Sequence, residues 1–298
     1  MRFHIVSDSS CDLGREELER LDVAMVSYYA AFDDEIYYRE ERDIPTHQFY
    51  QMMADRPGVF PKTSMPTLED YLDAFRPLAA QGLPILCICL NAQFSGSFQT
   101  ALNAASELRE EFPAAEIQVV DSALATVLQG LFVREAVRLR DAGFYLAAAV
   151  DALRPLPPTG RIFFTTNDLE YLRHGGRIGR AAAATGTLLR VKPLIGYKDA
   201  GLVSDGIAQG RKKSLAKVRE LFFRHLQREE IDLDQYALAT GFGLDLEEHA
   251  AFAQTIYDGL LELGHDRPEV KQPCQIGVTI GVHTGPSPIG VGLLRRAI

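Results

Sequence analysis

The chain contains 298 residues, a length that suits about two domains, each with a core of its own. Hydrophobic residues make up 47% and charged residues 24%, which is typical of globular proteins and excludes the disordered, collagen-like and fibrous classes. The 31 Lys and Arg against 40 Asp and Glu give a net charge of −9, so nucleic acid is not expected as a partner.

The first half of the chain alternates short apolar runs with longer amphipathic ones, which predicts βαβ units around a mostly parallel sheet flanked by helices. Predicted strands are Phe3–Val6, Val23–Phe32, Leu83–Leu90 and Ile117–Val120; predicted helices include Arg15–Leu21, Pro45–Ala54 and one opened by a Thr67–Asp70 capping box; Pro61–Pro66 reads as a loop. Three of the strands end in loops with Ser and Asp. Because ligands bind at the carboxyl ends of strands in open α/β sheets, a site is expected there.

Three prolines and a glycine within residues 153–160 predict a boundary between two α/β domains, residues 1–157 and 158–298. In the second half, predicted strands are Arg161–Thr166, one around Pro193, Tyr236–Phe242 and Ile276–His283, and predicted helices are Lys212–Arg228 and Leu246–Leu263.

The longest apolar run, Leu83–Leu90, is far shorter than the roughly 18 residues of a membrane helix. The polar stretch Ser7–Ser10 comes too early for the apolar region of a signal peptide, so the protein is expected in the cytoplasm. The four cysteines form no Cys-x-x-Cys pair, and Cys87 and Cys89 read as core residues.

Several familiar motifs are missing from the sequence. It has no Gly-x-x-x-x-Gly-Lys-Ser/Thr loop for phosphates, and Ser95 lacks the preceding glycine of a nucleophile elbow. Gly241-Phe242-Gly243 lacks the third glycine of a dinucleotide fingerprint, and the seven histidines form no i, i+4 pair for a metal. No metal ligand, catalytic residue or cofactor is therefore predicted.

What remains is a set of neutral polar residues at loop positions: Thr63, Ser64, Ser95, Ser97 and His283. Hydroxyls and a neutral imidazole each donate one hydrogen bond, so such a cluster can hold a carboxylate. The alternative is structural, because Ser and Thr are common helix caps and a lone histidine often belongs to the core.

Seven segments, taken in order, resemble the DegV family, the fatty-acid-binding proteins that serve a bacterial fatty acid kinase. They are VSDSSCDL (6–13), KTSMPT (62–67), FSGSFQTA (94–101), VDS (120–122), DLEYLRHGGRI (168–178), LLRVKPL (188–194) and GVHTGP (281–286). Each segment is weak alone, but the ordered set spans nearly the whole chain.

The resemblance implies two α/β domains that enclose one long-chain fatty acid, with its carboxylate between the domains. The implied ligand-binding residues are Thr63, Ser64, Ser95, Gly96, Ser97, His283 and Thr284. It also implies an apolar tunnel for the tail, for which Ala181–Leu189 and Ile276–Val282 are candidate walls; ordinary core is the alternative. The bound fatty acid is then the ligand of a non-catalytic carrier, and a partner kinase phosphorylates the carboxylate from ATP for phospholipid synthesis.

Arg173, His174 and Arg177, followed by Arg180, form the densest basic cluster, and residues 211–213 form a second. On a net-acidic protein, the first cluster is a candidate docking surface for an acidic face of the kinase; a solvated helix end is the alternative. No membrane span is expected, although lipid exchange is compatible with transient membrane contact.

Two departures from the family pattern concern the ligand. Ser97-Phe98 stand where the family usually has Thr-Tyr, and Ser287-Pro288 follow Gly285-Pro286 where the family has Gly-Pro-Gly. Both changes lie beside the expected headgroup site, so chain-length preference stays open.

Two other functions compete with the carrier. The sequence more distantly resembles the substrate domain of dihydroxyacetone kinase, in which a histidine holds a small carbonyl substrate, and His283 is the candidate for that role. An interaction protein without a physiological ligand is the third possibility, and it predicts a collapsed tunnel.

Overall fold

The computed structural model describes residues 2–33, 35–167, 169–178 and 191–297. The strands are β1 (His4–Asp8), β2 (Val23–Val26), β3 (Tyr29–Ala31), β4 (Tyr38–Arg39), β5 (Lys62–Ser64), β6 (Ile85–Cys89), β7 (Ile117–Asp121), β8 (Arg161–Thr165), β9 (Val191–Lys198), β10 (Gly201–Gln209), β11 (Tyr236–Phe242) and β12 (Ile289–Arg295). The helices are α1 (Arg15–Arg20), α2 (Thr46–Ala54), α3 (Leu68–Ala79), α4 (Ser97–Glu111), α5 (Thr126–Asp141), α6 (Leu146–Leu153), α7 (Glu170–His174), α8 (Arg211–Arg228), α9 (Leu246–Glu262) and α10 (Val278–Thr284). None of the helices in these described ranges is long and apolar enough to cross a membrane.

The first half of the chain forms the predicted parallel sheet, in the order β2-β1-β6-β7. Every residue of β6 is buried, and alternate residues face opposite sides: Cys87 packs toward α3 and α4, whereas Leu86 and Ile88 pack toward α5. Such two-sided burial explains the continuous apolar run in the sequence. The predicted α/β class and the capping box of Thr67 and Asp70 are confirmed.

The second half forms a five-stranded antiparallel sheet in the order β10-β9-β8-β12-β11. Helices α8 and α9 cover one face, and α5 from the first half packs on the other. One apolar cluster therefore contains both Leu86 and Ile162, on opposite sides of residue 157. The division of the chain at that residue stays a prediction.

A small antiparallel sheet in the order β4-β3-β5 corrects two sequence predictions. The predicted strand Val23–Phe32 is two strands in different sheets, because the chain turns away from the parallel sheet at Ser27–Tyr28. The predicted loop Pro61–Pro66 contains β5, which pairs with β3. A continuous β-prone run does not show where a strand changes its partner.

The predicted strand Ile276–His283 is wrong, because this segment forms α10 and the last strand is β12. Val278 and Val282, one helical turn apart, pack against Phe49 and Tyr50 of α2. The β-branched residues favour a strand locally, but a strand would put Val278, Ile280 and Val282 on one face. Burying both valines against α2 while Ile280 lines the cavity requires a helix, so tertiary packing overrides propensity.

Asp8 at the carboxyl end of β1 holds several elements together. Its fully buried carboxylate accepts hydrogen bonds from the Leu90 N–H at 2.8 Å, the Gln129 amide at 2.8 Å, the Ser10 hydroxyl at 2.6 Å and the Ser97 hydroxyl at 3.1 Å. Burial, the largest influence, raises the pKa of Asp8, and the hydrogen bonds counteract it.

We expect Asp8→Ala to leave these donors without an acceptor and to lower the free energy of unfolding by about 3 kcal/mol or more. Urea denaturation measures this change. Asp151→Ala, at an exposed carboxylate paired with exposed Arg154, is the control and should change stability by less than about 1 kcal/mol. Equal stability of the two variants would contradict the role given to Asp8.

Candidate functional site

A cavity lies between the carboxyl ends of the parallel strands and the inner face of the antiparallel sheet. Its volume is about 190 Å³, whereas one water needs about 10–15 Å³ in the same measure, so the space suits a long ligand. The apolar lining residues are Leu90, Phe94, Ala125, Val127, Ile162, Phe164, Leu172, Leu202, Ile276, Ile280 and Pro288. Tyr28, which follows β2, and Leu90, which follows β6, place the cavity at the expected edge of the sheet.

Strand periodicity and glycines explain how the antiparallel sheet makes an apolar wall with open space. Ile162 and Phe164 face the cavity, whereas Phe163 between them packs against Phe222 of α8 with ring centroids 6.5 Å apart. Gly241 of β11 and Gly290 of β12 are paired residues that also line the cavity. A β-carbon at Gly241 would lie 2.9 Å from Val127 of α5, and one at Gly290 would lie 2.5 Å from Phe164 Cβ, so both positions need glycine.

The polar end of the cavity is made by four separate parts of the chain. Thr63 on β5 contacts His283 on α10, with 3.1 Å between Oγ1 and Nε2. The Tyr28 hydroxyl donates to Ser95 Oγ at 2.7 Å, and Ser95 Oγ also accepts from the Ser97 N–H at 3.1 Å. Ser95 precedes the fifteen-residue helix α4, whose N-terminal dipole favours an anion. The arrangement offers hydroxyl and imidazole donors to an anionic headgroup.

His283 is neutral at pH 7. Burial first, and the positive charge of Arg177 second, lower its pKa to about 4. Its Nδ1 is buried and has no hydrogen-bond partner within the part of the chain that is described. A neutral ring has one donor and one acceptor nitrogen: Nε2 faces Thr63, whereas Nδ1 lies against Gly175, where a β-carbon would be 2.0 Å away.

Folding stability should depend on the protonation of His283. Because the pKa is about 4 in the folded protein and about 6.5 in the unfolded chain, stability present above pH 6.5 is lost as the pH falls toward 4. We expect this residue to account for a loss of about 2 kcal/mol between pH 7 and pH 5.

Urea denaturation at both pH values, on the parent and on His283→Gln, isolates the contribution of His283. The groups common to both proteins cancel in the comparison; they include His249, with a pKa of about 4, and Glu40, whose raised pKa acts in the opposite direction. Identical pH dependence in the two proteins would contradict a low pKa at His283.

Arg177 stands apart from the other predicted docking residues. It is exposed but lines the cavity, and its guanidinium donates to the Phe94 carbonyl at 3.1 Å and the Gly175 carbonyl at 2.7 Å. Arg173 pairs with Glu170 at 2.8 Å, and the His174 ring stacks on Phe60, with centroids 3.7 Å apart. Arg177 therefore supplies positive charge at the mouth of the cavity.

The other predicted ligand-binding residues divide into two groups. Gly96 and Thr284 line the cavity, together with Thr63, Ser95 and His283. Ser64 and Ser97 do not line it, and their role as ligand contacts stays a prediction. Ser64 is exposed, because neighbouring residues of a strand face opposite sides, and fully buried Ser97 bonds to Tyr71 and Asp8.

Tyr28 is a site residue that the sequence did not predict; only its position near a strand end indicated the role. Of the candidate tunnel walls, Ile276 and Ile280 line the cavity, whereas Ala181–Leu189 lies outside the described residues, as does Arg180. Within the described ranges, no three His, Cys, Asp or Glu side chains are arranged to hold a metal. Cys11, Cys87 and Cys89 are buried free thiols.

Comparisons with known proteins cover almost the entire chain. Residues 2–296 match the family model described as "Uncharacterised protein, DegV family". A solved stearic acid-binding protein from Eubacterium ventriosum is 39% identical with a TM-score of 0.92, covering 99% of both chains. A fatty-acid-binding DegV family protein from Thermus thermophilus is 28% identical with a TM-score of 0.84, covering 99% of this chain and 100% of the other. A DegV domain-containing protein from Clostridium perfringens is 29% identical, covering 98% and 97%.

Proposed function

Because the chain belongs to the DegV family, we propose that it binds one long-chain fatty acid in the cavity described above. The carboxylate lies at Thr63, Ser95 and His283, and the acyl chain follows the apolar walls. The observation that carries this proposal is an apolar cavity that ends in hydroxyl and imidazole groups. The stearic acid-binding relative supports the same ligand class.

The energetics assign different tasks to the two ends of the ligand. Burying about fifteen methylenes at ~0.8 kcal/mol each contributes about 12 kcal/mol before the costs of binding. Neutral hydrogen bonds add less and fix the orientation of the carboxylate. Arg177 and the N-terminus of α4 compensate for its charge. An apolar wall of this extent gives a small polyol, the substrate expected for a dihydroxyacetone-type enzyme, few polar partners.

Mass spectrometry of ligands extracted from natively purified protein tests this function. We expect a fatty acid near one equivalent per chain, and a rise in melting temperature when delipidated protein is reloaded with stearic acid. Dihydroxyacetone is the control ligand and should not change the melting temperature. A protein without extractable fatty acid that is stabilised by dihydroxyacetone and not by stearic acid would contradict the proposal and favour the enzyme.

The protein acts as a cytoplasmic carrier without catalysis of its own, and a partner kinase completes the reaction. The kinase transfers the γ-phosphoryl group of ATP to a carboxylate oxygen of the bound fatty acid, giving an acyl phosphate for phospholipid synthesis and ADP. Support comes from the position of the headgroup site close to the exposed helix α7, where Arg173 and His174 offer a docking surface. Fatty acid enters and leaves through transient membrane contact.

Charge reversal at Arg173 should separate docking from ligand binding. We expect Arg173→Glu to slow acyl phosphate formation by a fatty acid kinase about tenfold, because the exposed cation meets an acidic partner face. Stearic acid binding should stay unchanged, since Arg173 does not line the cavity. Arg154→Glu, at another exposed arginine away from the cavity wall, is the matched control. Equal kinase rates for both variants would place the docking surface elsewhere.

A further inference from the structure

Glu40 is a buried acid outside the cavity wall, with only 1% of its surface exposed. It directly follows β4, and its carboxyl group accepts hydrogen bonds from the Ser9 hydroxyl at 2.6 Å, the Thr279 hydroxyl at 2.5 Å and the Thr279 N–H at 3.2 Å. Its own N–H donates to the Tyr28 carbonyl at 3.0 Å. One side chain thus joins the small sheet, the end of β1 and the first turn of α10.

The contact with Thr279 controls the rotation of α10. Thr279 and His283 are four residues apart in this helix, so they lie on the same side, one turn above the other. A carboxyl group that binds both the N–H and the hydroxyl of Thr279 therefore determines where His283 points. Thr63, the partner of His283, belongs to β5. This strand is in the same small sheet as β4, which Glu40 follows.

The backbone around this contact is built for close approach. A β-carbon at Gly277 would lie 2.3 Å from Glu40 Oε1 and 2.9 Å from Asp12 Oδ1, so only glycine fits there. Ser27 adds a second link, since its hydroxyl donates to the Glu40 carbonyl at 2.9 Å. Both the side chain and the main chain of Glu40 are held, which gives the contact little freedom.

We propose that Glu40 is a positioning residue for the ligand: it locks α10 against the small sheet and so sets the distance between His283 and Thr63. This inference rests on the proposed function, because the pair it positions is the proposed carboxylate site. Glu40 does not line the cavity, so it acts on the ligand only through α10 and the small sheet.

The test compares Glu40→Ala with Glu40→Gln. Alanine removes every acceptor, and we expect the Kd for stearic acid to rise about tenfold, as for one lost charged hydrogen bond. Glutamine keeps the length and one oxygen for the Thr279 N–H, while both hydroxyls can rotate to accept from its amide. Rescue to within about threefold of the parent is therefore expected.

If Glu40→Ala does not fold, Thr279→Val and Thr279→Ser form a second pair of variants. Both leave Glu40 intact. Serine should retain parental affinity and valine should lose it; because Thr279 also lines the cavity, the His283 ring signals separate positioning from a direct ligand contact. NMR of the ligand-free protein measures the chemical shifts of the His283 ring nitrogens. We expect them to change in Glu40→Ala and Thr279→Val, and to stay near the parental values in Glu40→Gln and Thr279→Ser.

Unchanged ring signals in folded Glu40→Ala or Thr279→Val would overturn the positioning role even if affinity falls. Binding of stearic acid by the parent is measured first, so that failure of the proposed function is seen separately. The ring signals of the ligand-free protein then still decide whether Glu40 positions His283.

Discussion

Gly175→Ala is expected to displace His283 and to raise the Kd for fatty acid by roughly five- to 150-fold. A β-carbon at residue 175 would lie 2.0 Å from His283 Nδ1 and 2.9 Å from its Cε1, far inside van der Waals contact. The ring must leave its contact with Thr63, and a lost buried partner costs about 1–3 kcal/mol, or roughly five- to 150-fold in affinity. Titration calorimetry with stearic acid measures the change.

The neighbouring glycine provides a matched control. Gly175 has a φ of −73°, which alanine adopts freely, so the effect at this position comes from the collision alone. Gly176 has a φ of +68° and open space around it, so Gly176→Ala costs about 1 kcal/mol of stability and leaves the ring in place. The double variant Gly175→Ala/His283→Ala should bind like His283→Ala. Parental affinity in Gly175→Ala would contradict the role of His283 in the site.

The sequence was sufficient to predict the central strands β1 and β6 of the parallel sheet because they are buried on both faces. Ile85–Cys89 is entirely apolar, and Thr67 with Asp70 has the spacing of a capping box, so local residues determine both features. The strand prediction for residues 276–283 failed where packing outweighed local preference: two valines must face α2 while Ile280 faces the cavity, and only a helix achieves this.

The candidate site was harder to predict, because its residues come from distant parts of the chain. Thr63 and His283 are 220 residues apart, and no spacing rule connects them; their loop positions grouped them, and the family resemblance implied a common role. Arg177 was read as a surface cation because its neighbours are basic, and only the fold shows that it turns to the Phe94 carbonyl. The role of Tyr28 follows from the break between β2 and β3, after which its hydroxyl donates to Ser95 Oγ.

Gly241, on the cavity wall beside Val127 and Ile276, should influence which acyl chains fit. Ile276 lies just before the first residue of α10, and His283 lies in the last turn of this helix. The helix is about 9 Å long from its first to its last residue. A β-carbon at Gly241 would lie 2.9 Å from Val127 Cγ1 and 3.4 Å from Ile276 Cγ1. Gly241→Ala therefore takes space from the tail and leaves the headgroup contacts intact.

We expect Gly241→Ala to bind stearic acid about tenfold more weakly and to prefer a fatty acid shorter by about two methylenes, since each buried methylene is worth ~0.8 kcal/mol. Competition between fatty acids of different length, read by mass spectrometry, measures this preference. Val127→Ala removes the methyl groups that the new β-carbon meets, so the double variant should recover the parental preference. If Gly241→Ala weakens binding of all chain lengths equally, the residue does not limit the tail, because a headgroup or folding defect affects every chain alike.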